Sequence, residues 1–403
     1  MNTPKRRIFA GAIALTLVAA ACGSDDDNSS DETSAPAETS ASTDGDMTEA
    51  TTSETTDGDM TETTEGGSEM VEVSGELIGA GASSQAAAMQ GWVAGFQDAN
   101  PDVTVEYDPI GSGGGRELFL SGGSDFAGSD AALDEEEYQQ SIEACAGDQG
   151  AINLPHYISP IALPYNLPSI DGETLNLSPE VIAGIFANEI TNWNDPAIAA
   201  DNPDLELPDL TINPVHRSDE SGTTENFTDY LSQAAPDVWT FGEIEVWDDG
   251  PKGGEGAGQT VGVVQAVGAG EGSIGYADAS QIGDLPAAAV GVAGDFVKFS
   301  PEAAGRIVDA SERTGGQSEF DFAIEVNRNP ESSDTYPIAL VSYHIVCLQY
   351  DSQEKVDLVK AFMTYIGSDE GQAAAAESAG AAPISPEVQA DLLTSIEQIS
   401  VAS

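Results

Sequence analysis

From Glu76 to Asp130, strand-like and helix-like patterns alternate β, α, β, α, β. That alternation restricts the segment to a parallel sheet flanked by helices. Glu76-Leu-Ile-Gly-Ala-Gly reads as strand and turn. Ser84 to Ala99, with Ala86, Met89, Trp92, Val93 and Phe96, has helical spacing. Val103-Thr-Val-Glu-Tyr107 alternates as a strand, Gly111–Gly115 reads as a loop, and Arg116 to Leu120 opens a short helix. Ser124-Asp-Phe-Ala-Gly-Ser129-Asp130 is again strand, then turn. In such sheets, ligands gather at the loops beyond the strand carboxyl ends.

The loops themselves are unusual. Gly79-Ala-Gly-Ala-Ser83-Ser84, Gly111-Ser-Gly-Gly-Gly115 and Asp219-Glu-Ser221-Gly222-Thr223-Thr224 each stand just before a helical pattern. Helix N-termini present unpaired N–H groups and partial positive charge, which together favour an anion. Any one loop alone reads as an ordinary cap or turn. Three of them, with Arg217 two residues before Asp219, point to a tetrahedral anion held between helix ends.

Further along, Ile152-Asn-Leu-Pro-His-Tyr-Ile-Ser-Pro-Ile-Ala-Leu-Pro-Tyr165 is extended and punctuated by proline, as expected of a crossover between domains. Ser178-Pro-Glu-Val-Ile-Ala-Gly-Ile-Phe186 starts with a cap residue followed by Pro. Leu210 to Val215 reads as a strand that delivers Arg217, and Phe227 to Leu231 continues the helix begun at Thr223. Gly262 to Val267 makes a helical turn, and Gly272-Ser-Ile-Gly-Tyr276 a short strand. Tyr336 to Cys347 is expected to be the longest strand, with amphipathic helices over 356–366 and 386–399.

The first residues read as an export signal. Lys5, Arg6 and Arg7 precede the apolar run Ile8 to Ala21, which is too short for a comfortable membrane span. Ala19-Ala20-Ala21 then leads to Cys22, so residues 1–21 look like a bacterial lipoprotein signal peptide, with Cys22 as the lipidated first residue of the mature chain. An ordinary secretory signal is the alternative. Residues 22–74 are rich in Ser, Thr, Asp and Glu, and are expected to form a disordered acidic tether. The whole chain carries a formal net charge of −58, and residues 74–403 still hold 54 acids against 9 bases. Such a surface opposes nucleic acid and anionic lipid, and suits solubility in a salty medium. An anion site in this field needs local reversal by backbone N–H groups and one or two Arg.

Residues 74–403 exceed a usual single core, which implies two domains. With Cys22 assigned to lipid, Cys145 and Cys347 remain; in an exported chain they point to one disulfide, two buried free thiols being the alternative. His156, His216 and His344 are scattered, and no Cys/His spacing resembles a metal site. No cofactor or metal is expected.

The order of Gly79–Ser84, Gly111–Gly115, Ser124–Asp130 and Arg217-Ser-Asp219-Glu-Ser221-Gly222-Thr223-Thr224-Glu-Asn226-Phe227 resembles the periplasmic phosphate-binding proteins of phosphate ABC transporters, over nearly all of 76–403. Supporting stretches are Ile185-Phe186, Thr191-Asn-Trp193, Gly272–Tyr276, Leu358–Phe362 and Gly371–Ala375. The resemblance implies an α/β, two-lobed periplasmic-binding-protein (Venus-flytrap) fold with an interlobe anion site. On that reading, 75–152 and 330–403 form lobe I and 153–329 lobe II. Phosphate would meet Ser83 and the backbone of Ser84, then Ser112, with Asp130 accepting a hydrogen bond from the proton on phosphate. Arg217 would make the ionic contact, Asp219 would brace it, and Ser221, Gly222 and Thr223 would donate from the third helix. Arg116 reads as a solvated or interlobe residue instead of a ligand. Ser84 stands where many relatives have an aromatic residue, and Glu220 where Gly is common; Glu220 is expected to face solvent.

The resemblance implies a lipid-anchored, extracytoplasmic receptor that hands phosphate to membrane permease subunits. It would be monomeric, without catalysis. A receptor of the same fold for sulfate or molybdate is the main alternative. A phosphatase on this fold is disfavoured, because no metal cluster and no nucleophile with an adjacent base is evident in the sequence. A surface adhesin or sensor is a further alternative from a different class.

Overall fold

The computed structural model describes residues 73–170 and 172–403. The signal peptide 1–21, Cys22 and nearly all of the expected tether lie outside the described residues. The first run of elements is β1 (Gly75–Gly81), α1 (Ala86–Ala99), β2 (Val103–Asp108), α2 (Ser112–Leu120), β3 (Phe126–Ser129), α3 (Glu135–Ala144) and β4 (Ala151–Ala162). Then come β5 (Asn176–Leu177), α4 (Pro179–Phe186), α5 (Pro196–Asp201), β6 (Asn213–Arg217), α6 (Gly222–Ala234), β7 (Glu255–Ala257), α7 (Gln259–Ala269), β8 (Ser273–Gly275), β9 (Ala277–Asp278), β10 (Ala289–Val292) and β11 (Asp295–Val297). The chain ends with α8 (Pro301–Asp309), β12 (Glu312–Gly315), β13 (Phe322–Glu325), β14 (Ala339–Cys347), β15 (Gln349–Tyr350), α9 (Gln353–Gly367), α10 (Asp369–Ala379), α11 (Pro386–Glu397) and β16 (Ser400–Val401).

The principal sheet has the order β2-β1-β3-β14-β4-β9. β1 runs parallel to β2 and to β3, while β14 is antiparallel to both β3 and β4. Strand order therefore reverses around β1, with β2 on one side and β3 on the other. The crevice beyond the carboxyl ends of strands at such a reversal is where ligands bind in open α/β sheets. Gly81, Asp108 and Ser129 end β1, β2 and β3 at that edge, and the first two loops with Asp130 follow directly. A second, smaller parallel sheet, β7-β6-β8, ends β6 at Arg217 and leads into α6.

Three expectations change. The proline-punctuated stretch from Ile152, expected to be an extended crossover, is paired strand for most of its length. It is most of β4, the longest strand, buried throughout and paired with β14 from Ala151 to Pro160. Its prolines are tolerated because the pairing slips at Pro155–Tyr157, opposite Ser342/Tyr343, and because β9 covers the other edge only at Ile161 and Ala162. The strand expected from Tyr336 is β14, which starts at Ala339 and is shorter than β4. The principal sheet keeps the chain to Ala162, α8 packs on β4 and β14, and the β12–β13 hairpin packs on β4. Finally, Gly113–Gly115 are not loop but the first turn of α2. A Cβ at Gly115 would lie 2.3 Å from Gly81 Cα, so glycine there lets the helix lie against β1.

The expected disulfide is present. Cys145, just past α3, is bonded to Cys347 at the end of β14, with Cα atoms 5.6 Å apart. Closing so long a loop restricts the unfolded chain, worth about 4–5 kcal/mol on the entropy model. Among the described residues, no helix is long and apolar enough to cross a membrane.

Inside the first lobe, His156 and His344 face each other, Nδ1 to Nδ1 at 3.2 Å, and both are fully buried. Burial lowers both pKa values, that of His344 to about 3. From about 6.5, the ordinary histidine value, down to about 3, the unfolded chain binds a proton at position 344 that the folded chain refuses. Stability is therefore lost as pH falls through that window, by up to about 1.4 kcal/mol per pH unit for this one group. In urea melts at stepped pH, His344→Gln should show a shallower loss of stability between pH 6.5 and 3 than the native chain. Equal slopes would refute the account.

Candidate anion site between the lobes

The three loops expected from the sequence are brought together as the N-termini of α1, α2 and α6. Ser83 and Ser84 precede α1, whose N-cap is Gln85; Ser112 opens α2; and Ser221 is the N-cap of α6. Ser83, Ser84, Ser112, Asp130, Arg217, Ser221 and Thr223 are all buried.

Asp130 is the centre of the arrangement. Ser84 Oγ donates to its carboxylate, 2.7 Å from Oδ1 and 2.8 Å from Oδ2. Thr223 Oγ1, from the second lobe, donates to Oδ2 at 2.6 Å, and Ser342 Oγ donates to Oδ1 at 2.6 Å. The Asp130 N–H donates to Ser112 Oγ at 3.2 Å, and its carbonyl accepts from Asn226 Nδ2 at 2.8 Å. Burying a carboxylate costs heavily unless it is hydrogen-bonded, and here hydroxyls from both lobes meet that need.

Arg217 reaches the same region from the end of β6. Its Nε and Nη2 donate to Asp219 Oδ1 and Oδ2 at 2.8 and 2.5 Å, the bidentate bracing expected from the sequence. The Gln259 N–H donates to Asp219 Oδ1 as well, at 3.0 Å. Burial pushes the Asp219 carboxyl up, but the Arg217 hydrogen bonds and charge, with the Gln259 N–H, outweigh it and hold the group below its ordinary value. Gln259 itself has φ of +61°, a left-handed conformation that is costly for a side chain with Cβ and that aims its N–H at Asp219.

The third helix start behaves less simply than expected. The Ser221 N–H is already taken by the Glu245 carbonyl at 3.2 Å, and Ser221 Oγ accepts from the Thr224 N–H as a cap. Only the Ser221 O–H remains as a donor. Gly222 and Thr223 occupy the first helical positions, whose N–H groups have no acceptor within the helix. A Cβ at Gly222 would lie 2.7 Å from Ala131 N and 2.8 Å from Asp130 C, so glycine permits the close approach of the lobes here.

Several participants were not picked out from the sequence. Thr260, at the start of α7, meets Ser83, with Oγ1 to Oγ at 3.0 Å and its N–H donating to Ser83 Oγ at 3.1 Å. The helical reading of this region began at Gly262 and so missed its N-terminus. Tyr276 Oη accepts from the Arg217 N–H at 3.2 Å and pairs with Thr224 Oγ1 at 2.7 Å. Gln281 Nε2 donates to the Ser83 and Ser84 carbonyls at 2.7 and 3.0 Å. Ser342 lies over 200 residues from Asp130 in sequence, and no local pattern marks it.

Arg116 is an interlobe residue, and it is buried. Its guanidinium is paired with Glu137 of its own lobe at 2.7 Å, and with Glu245 and Glu220 of the other at 2.7 and 3.0 Å. Burial opposes its charge, yet Glu245 and Glu137 together raise its pKa above the ordinary arginine value. Glu220, expected to face solvent, is half exposed and its carboxylate is paired with the buried Arg116 across the lobe junction. Burial, and next Glu245, push the Glu220 carboxyl up.

Two α/β lobes closing on a buried set of hydroxyls, one carboxylate and one braced arginine define a two-lobed solute-binding protein. A family model described as "PBP superfamily domain" matches residues 36–370. A phosphate-binding protein PstS 3 of Mycobacterium tuberculosis is 35% identical over 329 residues, covering 80% of this chain and 86% of that protein. A phosphate-binding protein PstS of Methanocaldococcus jannaschii is 30% identical over 295 residues, covering 69% and 75%. Among solved structures, a phosphate-binding protein from Stenotrophomonas maltophilia superposes with a TM-score of 0.63 at 22% identity, covering 80% of this chain and 94% of that one. The chain belongs to the PstS family of phosphate-binding proteins, within the PBP superfamily.

Replacing Arg116 by Met would leave Glu137 and Glu245 partly buried without their cation. Breaking such a pair costs about 3–5 kcal/mol. Chemical denaturation of Arg116→Met should show a loss of that order, much larger than for Arg306→Met at an exposed ion pair. Similar small losses in both would overturn the assignment of Arg116 as an interlobe clamp.

Proposed function

We propose that this protein binds inorganic phosphate between its lobes on the outer side of the cytoplasmic membrane and delivers it to the permease subunits of a phosphate ABC transporter. It acts as a monomer, tethered through lipid on Cys22. Membership of the PstS family supports the transport role. The observation that carries the ligand is Asp130: a buried carboxylate placed among the donors of three helix N-termini, with Arg217 in the same cleft.

An ionised carboxylate accepts hydrogen bonds but cannot donate them. Placed beside an anion, it repels one that has no proton to give. Phosphate near neutral pH carries such a proton, and sulfate does not. Asp130 therefore serves phosphate as an acceptor and works against sulfate. Arg217, held in plane by Asp219, supplies the positive charge. Ser83, Ser112, the backbone of Ser84, the Ser221 hydroxyl, and the Gly222 and Thr223 N–H groups supply the remaining donors. Hydrogen bonds involving a charged partner contribute about 1.5–3 kcal/mol each. A handful of them, less the cost of closing the lobes, reaches about −8 kcal/mol, a micromolar constant. The reading assigns no catalytic step.

Calorimetric titration should give micromolar or tighter phosphate binding, with sulfate weaker by at least about 100-fold, the order of one or two such hydrogen bonds. Arg217→Ala should weaken phosphate by a similar factor. Asp130→Asn should narrow the gap between the two anions more than it weakens phosphate. Strong competition by sulfate in the native protein would replace phosphate with another oxyanion, and unchanged binding in Arg217→Ala would refute this site.

A further inference from the structure

The geometry points to Ser342, gripped by Gln85, as the residue that sets the direction of the Asp130 carboxylate and thereby the discrimination between protonated and fully deprotonated oxyanions. The inference rests on the phosphate reading above and adds a specificity residue to it.

Three observations converge on this pair. Ser342 Oγ lies 2.6 Å from Asp130 Oδ1, and both groups are buried. Gln85 Nε2 donates to Ser342 Oγ at 2.6 Å, and its second hydrogen goes to the Tyr343 carbonyl at 3.2 Å. The ladder between β14 and β4 slips at Ser342/Tyr343, leaving His156 as the extra residue opposite. Bulges of this kind re-aim a side chain next to a site.

The proton bookkeeping makes Ser342 a one-way contact. With a Gln85 N–H pointing at its oxygen, Ser342 has one proton to place. The candidate acceptors are Asp130 Oδ1 at 2.6 Å and the Ser129 carbonyl at 3.2 Å, so the proton goes to Asp130. The amide of Gln85 cannot turn over, because its oxygen would then face the Tyr343 carbonyl.

A carboxylate offers about four acceptor positions. Three hydroxyls, Ser84, Thr223 and Ser342, reach it here. Ser84 and Thr223 stand at helix N-termini and can turn to an anion as it enters. Ser342 stands on a sheet strand behind the carboxylate and holds Oδ1 when the others leave. A carboxylate pinned at Oδ1 keeps Oδ2 facing the cleft, where a ligand O–H can reach it and a bare oxyanion meets its charge. Without the pin, Asp130 can rotate toward Ser84 or away from the ligand. Phosphate then loses its acceptor, and sulfate loses its repulsion.

The test is calorimetry on the mature chain with inorganic phosphate and with sulfate, for the native protein, Ser342→Ala, Ser342→Thr and Gln85→Met. In Ser342→Ala, the phosphate constant should weaken by about tenfold, the measure of one hydrogen bond to a charged group, while the sulfate constant stays within about twofold or improves. Ser342→Thr, which keeps the hydroxyl, should restore the native ratio. Gln85→Met should narrow it in the same direction, and serves as the test if Ser342→Ala does not fold. A native ratio retained in Ser342→Ala and Gln85→Met, or parallel weakening of both anions, would overturn the inference. Failure of the native protein itself to prefer phosphate would overturn the phosphate reading first, and is visible in the native titration alone.

Discussion

The arrangement of the two lobes turns on one buried carboxylate. Asp130 has left water, and a carboxylate in that position must be met by donors or it will not stay buried. Its donors come from three distant parts of the chain: Ser84 before α1, Thr223 at the start of α6, and Ser342 on β14. Satisfying one side chain therefore holds together the first lobe's helix start, the second lobe's helix start and the central strand of the principal sheet. Around it, further hydrogen bonds follow the same seam, from the Gly113 N–H to the Glu220 carbonyl and from the Asn226 side-chain amide to the Asp130 carbonyl.

Charge is deployed in the same economical way. Against 54 acids in residues 74–403 there are 9 bases, and the three that are buried all lie along the junction. Arg217 is braced by Asp219, Arg116 is shared between Glu137, Glu220 and Glu245, and Arg328 is paired with Asp229. Arg328 also donates to Asn226 Oδ1 at 2.7 Å and to the Ala339 carbonyl at 2.6 Å, which ties α6 to β14. Each buried arginine is held in place by carboxylates, so cations are fixed along the junction although the surface as a whole is strongly negative. Glu220 fits this pattern. A carboxylate next to an anion site would be harmful if it were free to turn onto the anion, and the buried Arg116 holds it at the lobe junction.

The loops were legible because their signal is local. Gly, Ser and Thr before a helical pattern report a helix N-terminus within a few residues; α1 and α6 start within two residues of their expected positions, and α2 starts four residues early, at Ser112. The resemblance of Arg217–Phe227 and Ser124–Asp130 to a known family then supplied roles for residues that spacing alone leaves as caps. What failed was equally local in origin. Prolines at 155 and 160 suggested an extended crossover, yet β4 pairs in the sheet and accepts them because a slip in register and an uncovered edge remove the need for their N–H groups. The glycines after Ser112 resembled a flexible loop, whereas at Gly115 the missing Cβ is required by helix-on-strand contact.

The sequence by itself determined the alternation of strand and helix and the presence of three helix N-termini, since each depends on neighbours in the chain; it pointed to the cysteine pair, and the arginine–aspartate brace came from the family resemblance. Only the tertiary structure decided which hydroxyls reach Asp130, that Thr260 and Tyr276 join Ser83 and Arg217, and that Arg116 lies under Glu245. Those pairs are separated by about a hundred residues or more in most cases, and their contact is set by sheet order and by the register of β14 on β4. A hydrogen bond needs placement to within a few tenths of an ångström, and that placement comes from packing, which no pattern along one strand of sequence encodes.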